Sequence, residues 1–84
     1  MQIFYTDRAA KELAGLPHGI QKRIAIKMRF YALQNNSLRF AERLAGGRGG
    51  EYRFRVGDYR LVFDVINKNI YILKIGKRDE VYDW

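Results

Sequence analysis

The stretch Glu51-Tyr52-Arg53-Phe54-Arg55-Val56-Gly57-Asp58-Tyr59-Arg60-Leu61-Val62-Phe63 decides how this chain folds. Tyr52, Phe54 and Val56 alternate with Arg53, Arg55 and Gly57, which describes a strand with one apolar and one basic face. Gly57-Asp58 supplies a hairpin turn, and a second strand, dense in Leu61, Val62, Phe63 and Val65, runs back over residues 59–66. The alternation puts Arg53 and Arg55 on one face, and the hairpin brings Arg60 beside them. Three guanidiniums so close repel one another unless an anion sits among them, which is the signature of a phosphate site. The plainer reading is three solvated arginines on an exposed face.

Working outward, Asn67-Lys68-Asn69 turns the chain into a third strand over residues 70–75, which Gly76 ends. Lys77-Arg78-Asp79-Glu80-Val81-Tyr82 then adds two cations and an aromatic ring, and Lys74 precedes them on the strand. Basic groups interleaved with aromatic faces suit single-stranded RNA, whose bases splay and stack. Before the hairpin, residues 45–50 carry four glycines around Arg48 and form a turn, and Asn35-Asn36-Ser37 ends a helix. That helix covers residues 19–33. Ile20, Ile24, Met28 and Tyr31 form one apolar stripe at 3.6-residue spacing, and Ile26, Phe30 and Leu33 form a second. Two stripes suit a helix packed on both a sheet and a neighbouring helix; the second could instead dock a partner. A shorter helix over Ala9, Ala10, Leu13 and Ala14, capped by Thr6 or Asp7 and ended by Gly15, follows an opening strand at residues 2–5. Pro17 starts the longer helix. The expected order is β-α-α-β-β-β: an α+β fold with a helical hairpin on one face of a mainly antiparallel, four-stranded sheet.

Composition narrows the chemistry. At 84 residues, with no proline-rich or repetitive segment, the chain reads as one domain, 1–84. Cysteine is absent and His18 is the only histidine, so neither a thiolate nor a histidine-based metal centre is available, and no metal or cofactor is expected. His18 reads as a surface residue at a helix start. No charge-free window is long enough to cross a membrane, and the opening Met-Gln-Ile-Phe-Tyr-Thr-Asp lacks the order of a signal peptide, so the expected address is the cytoplasm. A net charge of +7 favours a polyanionic partner, either nucleic acid or an acidic protein.

The quoted hairpin, together with Gly76-Lys77-Arg78-Asp79-Glu80-Val81-Tyr82, resembles the two signature stretches of the RelE/ParE toxin superfamily. The first is a Y-R-x-R-x-G-x-Y-R strand-turn-strand and the second a closing (H/K)-R-x-x-V-Y. Tyr5-Thr6 to Leu16-Pro17 and Arg43-Leu44-Ala45-Gly46 also fit, so the resemblance covers nearly the whole chain.

The resemblance implies a RelE-like toxin of a type II toxin–antitoxin pair. Such toxins enter the ribosomal A site and cleave messenger RNA, the ribose 2′-hydroxyl attacking the adjacent phosphate without a metal. The implied partners are a cognate antitoxin, messenger RNA and the ribosome. Matched to the pattern, Arg53, Arg55, Arg60, Arg78 and Tyr82 take the catalytic positions: Arg60 the phosphate arginine, Arg78 the late arginine near the leaving group, and Tyr82 the aromatic that orients the target base. Lys74 and Lys77 are expected to contact RNA. Relatives carry lysine where this chain has Arg53 and Arg55, and arginine does not give up its proton. The proton acceptor is thus left open between Tyr82 and Glu51. The ParE branch, which poisons DNA gyrase by binding it, is the alternative, and a member that only binds antitoxin or RNA is a third.

Overall fold

Four strands and two helices arise where the sequence places them, and a fifth strand arises where it does not. The computed structural model describes residues 1–44 and 50–78. In chain order the elements are β1 (Ile3–Tyr5), α1 (Asp7–Ala14), α2 (His18–Ala32), a 3-10 turn (Ser37–Phe40), β2 (Glu42–Arg43), β3 (Tyr52–Val56), β4 (Tyr59–Ile66) and β5 (Asn69–Lys77). The fold is α+β as expected, but the sheet has five strands rather than four, ordered β1-β5-β4-β3-β2. The extra strand, β2, is two residues long and has no periodicity to read. Gly76 does not end β5, which runs on to Lys77.

Local chemistry sets the boundaries. Thr6 caps α1, its hydroxyl accepting from the Ala9 amide at 3.2 Å and filling one of the helix's unpaired donors. Pro17 caps α2 with no side-chain bond. Gly57 has a φ of +58° at the first central position of the β3–β4 turn, a conformation that glycine adopts without a Cβ clash. At the β4–β5 turn Asn67 and Lys68 both have positive φ, 51° and 65°, the pattern of a type I′ hairpin.

The helices pack on one side of the sheet. Ile24, Met28 and Tyr31 of α2 are buried against Phe54 and Val56 of β3, Leu61 and Phe63 of β4, and Ile70, Ile72 and Ile75 of β5, so the first predicted stripe is the core stripe. Aromatic rings run through this core: Phe40 stacks on Tyr31 at 5.1 Å, Tyr31 on Phe54 at 4.7 Å, Phe54 on Phe63 at 4.4 Å and Phe63 on Tyr52 at 5.4 Å. The buried Ser37 hydroxyl donates to the Tyr31 carbonyl at 2.6 Å and fixes the chain as it leaves α2. The second stripe is packed only at Phe30, whose ring meets Phe40 edge-on at 5.7 Å. Ile26 and Leu33 are 66% and 77% exposed and Phe30 is about half exposed, because α1 contacts β5 and β1 and does not cover α2. Among the described residues no helix is long and apolar enough to cross a membrane.

Candidate nucleic-acid interface

The sheet face away from the helices is built from the other half of each strand's alternation. The β3–β4 register pairs Phe54 with Leu61 in the core and Arg55 with Arg60 one step along, so Arg53, Arg55 and Arg60 share the open side. Val62 pairs with Lys74 on β5, which extends the same face. Lys77 pairs with Tyr59, one residue past the Arg60–Gly76 pair, and so alternates onto the helix side. Arg78 follows at the strand end, its amide donating to the Asp58 carbonyl at 2.8 Å beside the β3–β4 turn. Tyr82 and most of the glycine-rich 45–50 turn lie outside the described residues. Gly50 is described: a Cβ there would collide with the Val62 side chain, so the chain passes directly over this part of the sheet.

Arg60 is not the open-face residue that its alternation suggests. It is only 3% exposed, and its Nη1 donates to the Gly57 carbonyl at 2.9 Å and the Tyr59 carbonyl at 3.0 Å. A guanidinium stays charged at any attainable pH, so burying it requires such acceptors. The turn that Gly57 makes therefore also anchors Arg60.

The anion among the arginines belongs to the chain itself. Glu42 on β2 lies across from Arg53. Its Oε2 accepts from Arg53 Nε at 3.0 Å and Nη2 at 2.7 Å, and its Oε1 accepts from Arg55 Nη1 at 3.0 Å. The Arg53 hydrogen bond, followed by that from Arg55, holds the Glu42 carboxyl below the usual glutamate range. Arg53 is mostly covered and Arg55 mostly open to solvent. Glu51, an open alternative for proton acceptor, is exposed just before β3, its amide donating to Asp64 Oδ1 at 2.8 Å. Sequence reading missed Glu42 because only β2, too short to foresee, brings it to Arg53.

A second feature of the open side is a ring pair. Phe4 on β1 and Tyr71 on β5 are in register and stack with centroids 5.3 Å apart, with Phe4 41% exposed. Cations from three strands and a stacked aromatic pair thus occupy one sheet face, an arrangement that suits a single-stranded nucleic acid. Among the described residues no three His, Cys, Asp or Glu side chains gather to hold a metal.

Comparison with known proteins agrees with this architecture. Residues 3–82 match the family model described as the ParE toxin of the type II toxin–antitoxin system parDE. Toxin RelE3 of Methanocaldococcus jannaschii is 28% identical over 86 residues, spanning all of this chain and 98% of that protein. Among solved structures, the toxin–antitoxin complex RelBE2 from Mycobacterium tuberculosis contains a chain that superposes with a TM-score of 0.74 at 25% identity, covering 92% of this chain and 96% of that one. The archaeal RelE–RelB complex from Pyrococcus horikoshii gives 0.70 at 27% identity, over 92% and 93%. The chain therefore belongs to the RelE/ParE family of type II toxin–antitoxin toxins.

Proposed function

We propose that this toxin is a ribosome-dependent endoribonuclease of the cytoplasm that cleaves messenger RNA and is neutralised by a cognate antitoxin. The observation that carries the reading is Arg60, a cation built into the sheet on two backbone carbonyls beside Arg53 and Arg55. Such fixed positive charge stabilises a phosphorane-like transition state without reorganising during the reaction. In the proposed step the ribose 2′-oxygen attacks the adjacent phosphorus as its proton passes to an acceptor. The bond from phosphorus to the 5′-oxygen breaks, leaving a 2′,3′-cyclic phosphate, and the 5′-oxygen takes a proton from water. No metal is needed, because the guanidiniums supply the positive charge. Arg78 would stand near the leaving oxygen and Tyr82 would orient the base. Glu42, already hydrogen-bonded to two of the arginines, joins Tyr82 and Glu51 as a proton acceptor. Relatives solved in complex with RelB support the antitoxin partner.

The exposed stripe of Ile26, Phe30 and Leu33 favours a second reading, in which α2 docks a protein target such as gyrase and no RNA is cut. Primer extension on cellular messages after brief induction separates the two. New cuts in phase with codons support the nuclease; intact messages with a DNA-damage response support the gyrase poison.

A further inference from the structure

A second concentration of positive charge lies off the arginine face, where β3 meets α2. β2 pairs only with Tyr52 and Arg53, so beyond Arg53 the outer side of β3 has no strand beside it. There Arg23, Ile26 and Lys27 of α2 face Arg55, Val56 and Gly57 across a groove of about 330 Å³, within the range of small-ligand clefts. Arg23 and Lys27 are one helical turn apart, where like charges repel. No acidic residue occurs anywhere in α2, and no ion pair to Arg23 or Lys27 occurs among the described residues. The nearest acid in sequence, Asp58, is exposed on the turn and does not line the groove. Gly57 shapes the wall: a Cβ there would sit 3.3 Å from Arg23 Nη2, so the guanidinium lies close against the bare turn.

We infer that this groove binds a backbone phosphate of single-stranded RNA, flanking the phosphate held on the arginine face. Arg23 and Lys27 hold the anion, and Ile26 and Val56 give the neighbouring sugar an apolar wall. Arg55 belongs to both places: it lines the groove and its Nη1 reaches Glu42 on the sheet. A strand crossing the open face would pass around the free edge of β3 at Arg55 and lay its next phosphate against α2. The proposal rests on the nuclease reading for that path, but binding itself is measurable without cleavage.

The test is fluorescence anisotropy with a short RNA whose riboses are 2′-O-methylated, so that no 2′-hydroxyl can attack. Arg23→Ala with Lys27→Ala should weaken binding at least about tenfold at low salt and lower the salt slope by roughly 0.7, the value for one lost phosphate contact on a single strand. Lys22→Ala with Arg29→Ala removes the same charge from another side of the same helix and should have much the smaller effect. Equal losses in the two variants would mean diffuse attraction and overturn the groove, as would unchanged binding in the first or no binding by the wild type. Weakened binding in the first variant, beside a wild type that cuts no cellular message, would leave the groove standing and remove only the nuclease.

Discussion

Glu42 stands across the β2–β3 ladder from Arg53 and accepts two hydrogen bonds from that one guanidinium, at 3.0 and 2.7 Å. The bond from Arg53 is the main reason its carboxyl titrates below the usual glutamate value of 4.5. A carboxyl whose folded pKa is depressed contributes stability above its unfolded pKa and loses it as pH falls through the folded one. Wild type should therefore lose part of its stability below pH 4.5, and Glu42→Gln should lose less. Urea unfolding at neutral pH and at about pH 3, inside that window, measures it. Parallel losses in both proteins would mean that the pair stabilises nothing. At neutral pH the difference should be small, since the carboxylate is partly open to solvent and screened.

Arg60→Ala should damage both folding and activity. It leaves the Gly57 and Tyr59 carbonyls without their guanidinium donor and opens a void under the β3–β4 turn. Destabilisation of about 2–3 kcal/mol is expected, a fall in Tm on the order of 10 °C for a chain of this size. Cleavage of messages should drop by a factor on the order of 10² or more, measured well below the variant's Tm. An unchanged Tm would contradict the buried geometry, and an unchanged rate would remove Arg60 from the site.

Arg55→Ala separates those two effects. Most of its side chain is in solvent and its partner Glu42 keeps Arg53, so stability should change by no more than about 0.5 kcal/mol. Message cleavage should still fall at least about tenfold, because a cation facing the phosphate is lost. A variant that cuts at the wild-type rate would place the reaction elsewhere on the protein.

What could be read in advance follows from how regular each segment is. The hairpin of β3 and β4 was legible because five residues alternate without interruption and glycine marks the turn. The core stripe of Ile24, Met28 and Tyr31 was legible from its spacing. Ile26, Phe30 and Leu33 obey the same arithmetic and yet stay outside, because periodicity finds an apolar stripe without saying whether α1 reaches it. Arg60 was placed on its correct face but at the wrong depth: alternation gives direction, whereas burial depends on the turn folding back and offering carbonyls. Glu42 was invisible, since its role exists only through two residues of pairing. Arg23 and Lys27 were likewise absent from the expected site, because they meet Arg55 across elements far apart in sequence.

Lys68 holds a φ of 65° in the β4–β5 turn, a conformation that costs a side-chain-bearing residue about 1 kcal/mol. Asn-Gly is the favoured pair for this turn, and Asn67 already stands in place. Lys68→Gly should therefore stabilise the protein by up to about 1 kcal/mol, offset in part by the extra freedom glycine has when unfolded. Urea midpoints compare the two. A loss of stability would mean that the unfolded-state entropy outweighs the relieved strain.

β1 lies parallel to β5, Ile3 beside Ile70 and Tyr5 beside Ile72, while β5 also carries the whole length of β4. The first strand to be synthesised thus waits for the last, and α1, which rests on β5, waits with it. Pairing across so much intervening chain is slow, since loop-closure entropy is lost before any contact compensates for it. A polypeptide made only as far as β4 has the β3–β4 turn that holds Arg60, but it lacks the strand that borders β4 and β1 and the surface on which α1 rests. Closure of the sheet therefore hangs on β5, and so does every surface that β1 and α1 complete.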